Sequence, residues 1–478
     1  MLEGEWLRRA RLCLKRTLSP LYDDPSLFSA SPDWPGDFPG RTLLSLTSLY
    51  GFFPEASEER KAILDRLAKL KSPWADHLNE DGYFGPRFDP NSISEQQLSG
   101  NSWYLRGLCR YQEIFRDEES KKAISSIISS LLLPLAPYFQ GYPISGRKGD
   151  GGVSGRIESS GSGWLLSSDI GCAYILLDGY VAAYEVLPSL ELKKAIEMVI
   201  FSYARIDPAK FKCQTHATLS AARAILRFSV ATGEKKYFGM AKRLYDLYWE
   251  RGSTLDYQNK NWFGRDDSWT EPCCVIDSLL LAKQFYLLTK EESYLVLLNR
   301  IAVNGFRTFQ RSNGGAGCSS LLLRPGDVLQ EKIYEAYFCC TLRQGEGLYE
   351  IGRTVEREGS RYTFLLPCSY RDDLLSVSAD LYQGNEIEIE SKGSFSLNLY
   401  VPDGFASPYP IEGRFLRAKG DGPTHLVIPF SLPTREEKGR HFEGDLLLTK
   451  KNGEEEYTPL ADCSFLSEEK ATSLRQTL

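Results

Sequence analysis

Two stretches carry side chains capable of chemistry: "SWTEPCCVIDSLLLA", where Glu271 and Cys273 flank Pro272, and "EAYFCCTLRQGEGL", where Cys339 and Cys340 are adjacent. A disulfide, a metal site, a nucleophile and core packing are the four uses such cysteines have. Proline suits the first position of a helix, so Glu271 is expected at the cap and Cys273 in the first turn. "YFCCTLRQ" likewise sets Cys339 and Cys340 at a helix start. Helix N-termini carry partial positive charge and lower thiol pKa values. Two such ends meeting would bring three thiolates and one carboxylate to a single point, a tetrahedral set suited to zinc. The adjacent cysteines cannot readily bridge each other, because so small a ring is strained. Cysteine is also among the most buried residue types, so packing stays an alternative at this point. Cys274, one position on, points elsewhere on the helix and reads as core, and nothing assigns a role to Cys318 in "NGGAGCSS".

The chain has 478 residues, too many for one ordinary core, with 42% hydrophobic and 25% charged residues, which is a globular composition. Its eleven cysteines are an odd number. The start, "MLEGEWLRRARLCLKRTLSPLY", has charges spread through it and no secretory apolar core, so reduced thiols and a cytoplasmic location are expected and a disulfide framework is not. A net charge of −6 gives no basic footprint for nucleic acid. No run of about 18 apolar residues predicts a membrane span; "SSIISSLLLPLAPYF" is broken by serine and proline and reads as a buried helix.

The elements that must position the cysteines are helical from about residue 40 to 355. Apolar residues recur at three- and four-residue spacing in pairs of segments, such as "HATLSAARAILRFSVAT" before "KKYFGMAKRLYDLYWER". Turns such as "FRDEES", "ATGEKKY" and "LTKEESY" place polar residues where N-caps are needed. The connections between pairs are long and rich in Gly, Asn, Trp and Asp, for example "LNEDGYFGPRFDPNSISEQQLSG" and "DYQNKNWFGRDDSW". Long loops gathered on one face favour an (α/α)6 barrel over a solenoid. After residue 355 short alternating segments between turns predict an antiparallel β-sandwich. The expected division is a barrel catalytic domain over 1–355 and a sandwich accessory domain over 356–478, with all eight tryptophans before residue 270.

"TEPCCVIDSLLLAKQFYLLTKEESYLVLLNRIAVNGF" resembles the helix pair of the glycoside hydrolase family 127 β-L-arabinofuranosidases, which opens with Glu-x-Cys and ends in Asn-Gly. "YFCCTLRQGEGL" resembles the vicinal-cysteine motif that follows it, and "HATLSAARAILRFSVATGEKKYFGMAKRLYDLY" and, more loosely, "SFSLNLYVPDG" extend the likeness over most of residues 80 to 450. The resemblance implies Zn2+ held by Glu271, Cys273, Cys339 and Cys340, with Cys339 as nucleophile and retaining hydrolysis through a glycosyl thioether.

The sequence departs from that family at the acid/base position. The family's glutamate stands shortly before Glu-x-Cys, whereas here no glutamate lies between Ser253 and Thr270. Asp256, Asp266, Asp267 and Glu335 are the acids at hand, and Asp256 is the expected proton donor. His216 in "CQTHATLS" matches a family active-site histidine, and Trp103 in "GNSWYLRGL" replaces another. Trp103, Trp164, Trp262 and Trp269 can offer faces for sugar stacking or can line the barrel. Asp169 in "LLSSDIGCAY" can contact a sugar hydroxyl or cap a helix. The expectation is a zinc-dependent, β-L-arabinofuranosidase-like glycosidase acting on a small oligosaccharide or glycoside. Its partner is carbohydrate and not nucleic acid or membrane, with homo-oligomerisation left open. The alternatives are another (α/α)6 carbohydrate enzyme, such as an unsaturated-glycan hydrolase or epimerase, and a catalytically inactive zinc barrel that binds sugar.

Overall fold

The computed structural model describes residues 1–23, 25–29, 33–144, 147, 154–318, 323, 334–450 and 457–459. Helix α1 covers Gly4–Thr17. Five pairs follow: α2 Asp37–Phe52 with α3 Glu58–Lys71, α4 Glu95–Phe115 with α5 Glu118–Ile127, α6 Leu176–Val186 with α7 Leu190–Tyr203, α8 Thr215–Thr232 with α9 Lys235–Leu247, and α10 Pro272–Thr289 with α11 Glu292–Arg300. Helix α12, Cys340–Gly352, comes last. One of the predicted turns, "FRDEES", caps through its Asp117 side chain, whereas the cap residues of "ATGEKKY" and "LTKEESY", Glu234 and Glu291, make no side-chain capping bond. Ser57, Asp117 and Ser189 each accept the backbone N–H three residues on, which fixes the starts of α3, α5 and α7.

Among the described residues the even-numbered helices close on themselves. Helix α2 packs on α4, α4 on α6, α6 on α8, α8 on α10, α10 on α12, and α12 returns to α2. Each odd-numbered helix from α3 to α11 packs on the even-numbered helix before it, and α1 covers α12. Sequence dictates which helix goes where. Helix α3 buries only Ile63, Leu67 and Leu70, one stripe at helical spacing, and so suits an outer layer. Helix α10 buries every residue from Pro272 to Lys283; the helix Pro272–Thr289 is apolar enough to cross a membrane by composition, yet 78% of it is packed inside the protein. Small residues let the inner helices touch: a side chain at Gly40 would lie 2.2 Å from the backbone nitrogen of Tyr104.

Charges fill the interior of the ring. Arg106 reaches Asp178 at 2.9 Å and Glu346 at 2.6 Å, Arg223 reaches Glu346 at 2.8 Å, and Arg343 pairs with Asp277 and Glu346. The chain thus spends six inner-face positions on paired charges instead of apolar packing.

β-strands gather in the C-terminal part. Ile411–Glu412, Phe415–Gly420, Phe395–Tyr400, Arg361–Phe364 and Val355–Glu358 form one sheet in that order, antiparallel except between Phe395–Tyr400 and Arg361–Phe364. Thr424–Pro429, Glu386–Ser391, Leu375–Ser378 and Tyr370–Arg371 form a second, and Thr434–Glu437, Arg440–Glu443, Leu446–Lys450 and Tyr457–Pro459 a third. In "EIEIES" the isoleucines point inward and the glutamates outward, the period of a half-buried strand. The end of the expected sandwich, residues 460–478, lies outside the described residues. These sheets are tied to the helices by Arg300, which bonds Asp445 at 3.1 Å, and by Asn304, which donates to the Asp445 carbonyl at 2.8 Å.

Candidate metal centre

The N-termini of α10 and α12 meet at the end of the ring that the long connections feed. Glu271 occupies the cap position of α10 with extended backbone, Pro272 is the first helical residue, and the Glu271 side chain makes no capping bond. Its carboxylate turns instead to Gln214, which donates to Oε2 at 3.2 Å, and to His216, whose Nδ1 lies 3.1 Å from Oε1. The backbone N–H of Glu271 donates to Asn259 at 2.9 Å. Cys339 is the cap residue of α12 and Cys340 its first helical residue.

One ligand atom from each of Glu271, Cys273, Cys339 and Cys340 lies within 4.8 Å of all the others. Cys339 Sγ is 3.6 Å from Cys273 Sγ, 3.8 Å from Cys340 Sγ and 3.8 Å from Glu271 Oε1. Donors on a tetrahedron of zinc-length bonds lie about 3.3–3.8 Å apart, so the set fits one ion of that size. Cys273 and Cys340 are buried, and Cys339 is the thiol of the three that solvent reaches. Burial leads in pushing Cys273 and Cys340 well above the usual thiol range, and for Cys339 the contact with Cys273 leads. A coordinated cation inverts that logic, because a ligating thiol is deprotonated outright.

His216 is fixed from both sides, with Nε2 3.4 Å from Asp277. Burial works against its charge, but Glu271 and Asp277 more than offset this and hold its pKa above the ordinary value. A histidine so placed orients the carboxylate as much as it meets a substrate. Arg41, which the sequence reading passed over, donates to Cys273 Sγ at 3.3 Å and is itself paired with Asp37. The signal was a lone arginine in the apolar run "GRTLLSLTSLYGFF". Gln214 and Asn259 were missed too, because nothing local marks them as partners of Glu271.

The expected sugar-contact residues are placed unevenly. Trp103 is fully buried 5.9 Å from the His216 ring, with the guanidiniums of Arg41, Arg106 and Arg343 at 3.7, 4.8 and 5.2 Å. It forms a cation–π platform beneath the site, and its faces meet cations. Trp262 meets Trp269 edge to face at 5.1 Å and pairs through its backbone with Gln214, two residues from His216. Trp164 packs against Phe139 and Tyr142 in an aromatic cluster. Asp169 is buried, accepts from Ser154 at 2.7 Å and from the Gly155 N–H at 2.8 Å, and is pushed up to about 6, chiefly by burial.

Among the other acids, Asp256 is buried with Thr254 donating to one oxygen at 2.5 Å and Gln258 to the other at 2.9 Å. Asp266 pairs with Lys260 and Asp267 with Arg265 on the surface. Glu335 is paired with Arg16 at 2.8 Å and receives Asn313 at 2.9 Å. Cys274 is buried against Thr215, as core. Cys318 lies beside Cys340, brought there by the pairing of Gly317–Cys318 with Tyr334–Glu335. A cavity of about 740 Å³ opens at the opposite end of the ring, lined by Arg110, Arg227, Lys283 and Glu350, away from the four donors.

No family model matches the sequence, and no curated protein matches it. Solved structures do. The chain is similar to a GH127 β-L-arabinofuranosidase from Geobacillus stearothermophilus T6 at a TM-score of 0.61 and 13% identity, over 94% of this chain and 86% of that one. It is similar to a structure described as a glycoside hydrolase at 0.60 and 10%, over 93% and 81%. A GH127 β-arabinofuranosidase gives 0.58 and 11%, over 93% and 79%. At such identities the likeness is one of fold.

Proposed function

We propose that the protein is a zinc-dependent retaining glycoside hydrolase of the β-L-arabinofuranosidase kind, built as an (α/α)6 barrel over 1–355 with a C-terminal β-sandwich. The observation that carries this reading is the convergence of Glu271, Cys273, Cys339 and Cys340 within 4.8 Å at two inner-helix starts. The likeness in fold to GH127 structures supports it. Zinc, bound by these four residues, would keep the thiols deprotonated at neutral pH.

Cys339, the accessible thiol, is the nucleophile. Its sulfur attacks the anomeric carbon while a carboxyl beside the cluster protonates the leaving oxygen, and water then releases the sugar. His216 and Gln214 hold Glu271 in place during this, and Arg41 holds Cys273. Trp269, partly exposed against the buried Trp262, offers the sugar a face. A small oligosaccharide or glycoside, taken up into the cytoplasm, is the substrate.

The test is turnover. Purified protein should release L-arabinose from 4-nitrophenyl β-L-arabinofuranoside with retention at the anomeric carbon, and a cysteine-directed arabinofuranose analogue should label Cys339 on peptide mapping. A label on Cys273 or Cys318 would show the nucleophile to be misassigned. Zinc-loaded protein that binds arabinose without hydrolysing any aryl furanoside would favour the sugar-binding alternative.

A further inference from the structure

We infer that Asp169 is the acid that protonates the leaving group, an assignment that rests on the glycosidase reading above. Asp169 is only 1% exposed. Both donors that hold it, Ser154 and the Gly155 N–H, act on Oδ2. Among the described residues, Oδ1 is the one buried carboxylate oxygen with no hydrogen-bond partner. A carboxyl held this way carries its proton on the unpartnered oxygen, and that oxygen lacks a partner until a ligand supplies one.

The backbone ties this group to the donor cluster. The carbonyl of Ile170 accepts from Gln214 N at 2.9 Å, and the Gln214 side chain donates to Glu271 at 3.2 Å. Burial raises the Asp169 pKa, the Ser154 and Gly155 bonds lower it, and the negative charges of Glu271 and Glu95 raise it again, leaving it at about 6. A general acid works best when its pKa lies near the working pH. Asp256, the acid expected from sequence, has a donor on each oxygen and so has no oxygen of this kind.

The steps balance. As the Cys339 thiolate forms its bond to the anomeric carbon, the glycosidic C–O bond breaks and the departing oxygen takes the Asp169 proton. Water then attacks the same carbon, the C–S bond breaks to return the thiolate, and Asp169 regains a proton from that water.

Two substrates separate the assignments: 4-nitrophenyl β-L-arabinofuranoside, whose leaving group needs no proton, and a β-L-arabinofuranosyl disaccharide, whose leaving group does. In the full-length zinc-loaded protein, Asp169→Asn should cut kcat/KM on the disaccharide by at least ~10²-fold and spare the aryl substrate by comparison. Asp256→Asn should slow the two substrates equally. For wild type, kcat/KM on the disaccharide should fall as pH rises and Asp169 loses its proton, more steeply than on the aryl substrate. That profile decides the matter should Asp169→Asn fail to fold. Equal slowing of both substrates by Asp169→Asn, a leaving-group-dependent loss in Asp256→Asn instead, or identical wild-type profiles would each overturn the assignment. Wild-type protein that hydrolyses neither substrate would overturn this assignment together with the glycosidase reading, whereas active wild type with an unimpaired Asp169→Asn overturns this assignment alone.

Discussion

Cys339 and Cys340 are neighbours in sequence but not in circumstance. Cys340 is the first residue of α12 and 1% exposed, while Cys339 caps the helix and is reached by solvent. Cys339→Ser should therefore abolish turnover in a folded protein, since a serine hydroxyl is far less acidic than a thiol. Cys340→Ser should lose zinc first, and activity with it, as metal analysis beside kinetics would show. Asp169 makes a separate prediction about stability. Its folded pKa of about 6 lies above the ordinary 3.8, so between those values the folded chain holds a proton that the unfolded chain has released. Stability then falls as pH rises through that window, by about 3 kcal/mol in all. With metal removed by chelator, Asp169→Asn should melt higher than wild type at pH 8, and the gain should vanish at pH 4. Melting curves at the two pH values test this, and an equal shift at both would contradict it.

At the scale of elements, the site exists because inner helices start at one end and pack backbone to backbone. Gly40 meets Tyr104 N, and a side chain at Gly345 would lie 2.6 Å from the Ser45 carbonyl. Gly40→Ala should cost about 1–3 kcal/mol by forcing α2 from α4, measurable by denaturant titration. Helix α10 was legible almost to the residue, since Pro272 marks its start and a polar turn its end, and so was the cysteine pairing, which needs only two helix starts. Helix α1 was not. Its charges are scattered, and the partner that makes it an outer helix, α12, lies more than three hundred residues away. Trp103 was expected among the sugar contacts; two of its three arginine neighbours, Arg41 and Arg343, come from other helices, and no local pattern foretells them. Cys318 reached Cys340 through a strand pairing of only two residues on each side, too short to leave a periodic signal.

The molecule as a whole carries its candidate metal centre on a charged interior. Asp277 accepts from Ser220 and Arg343 while facing His216, so the cluster and the ion pairs of the ring form one connected network. Arg343, Arg223 and Arg106 hold Asp277 and Glu346 well below the usual carboxylate range. That contribution is whole above the unfolded carboxylate pKa values and drains away as pH falls below them. Glu346→Gln leaves three buried guanidiniums short of a partner and should cost about 3–5 kcal/mol, read as a fall in the denaturant midpoint. The central claim is that the four donors close on one metal ion, and X-ray absorption at the zinc edge, on full-length protein purified without chelator, tests it most directly. One zinc per chain is expected, with three sulfurs near 2.3 Å and one oxygen near 2.0–2.2 Å, falling to two sulfurs in Cys340→Ser wherever metal is retained. Protein without metal, or a zinc shell of nitrogen and oxygen alone, would contradict it.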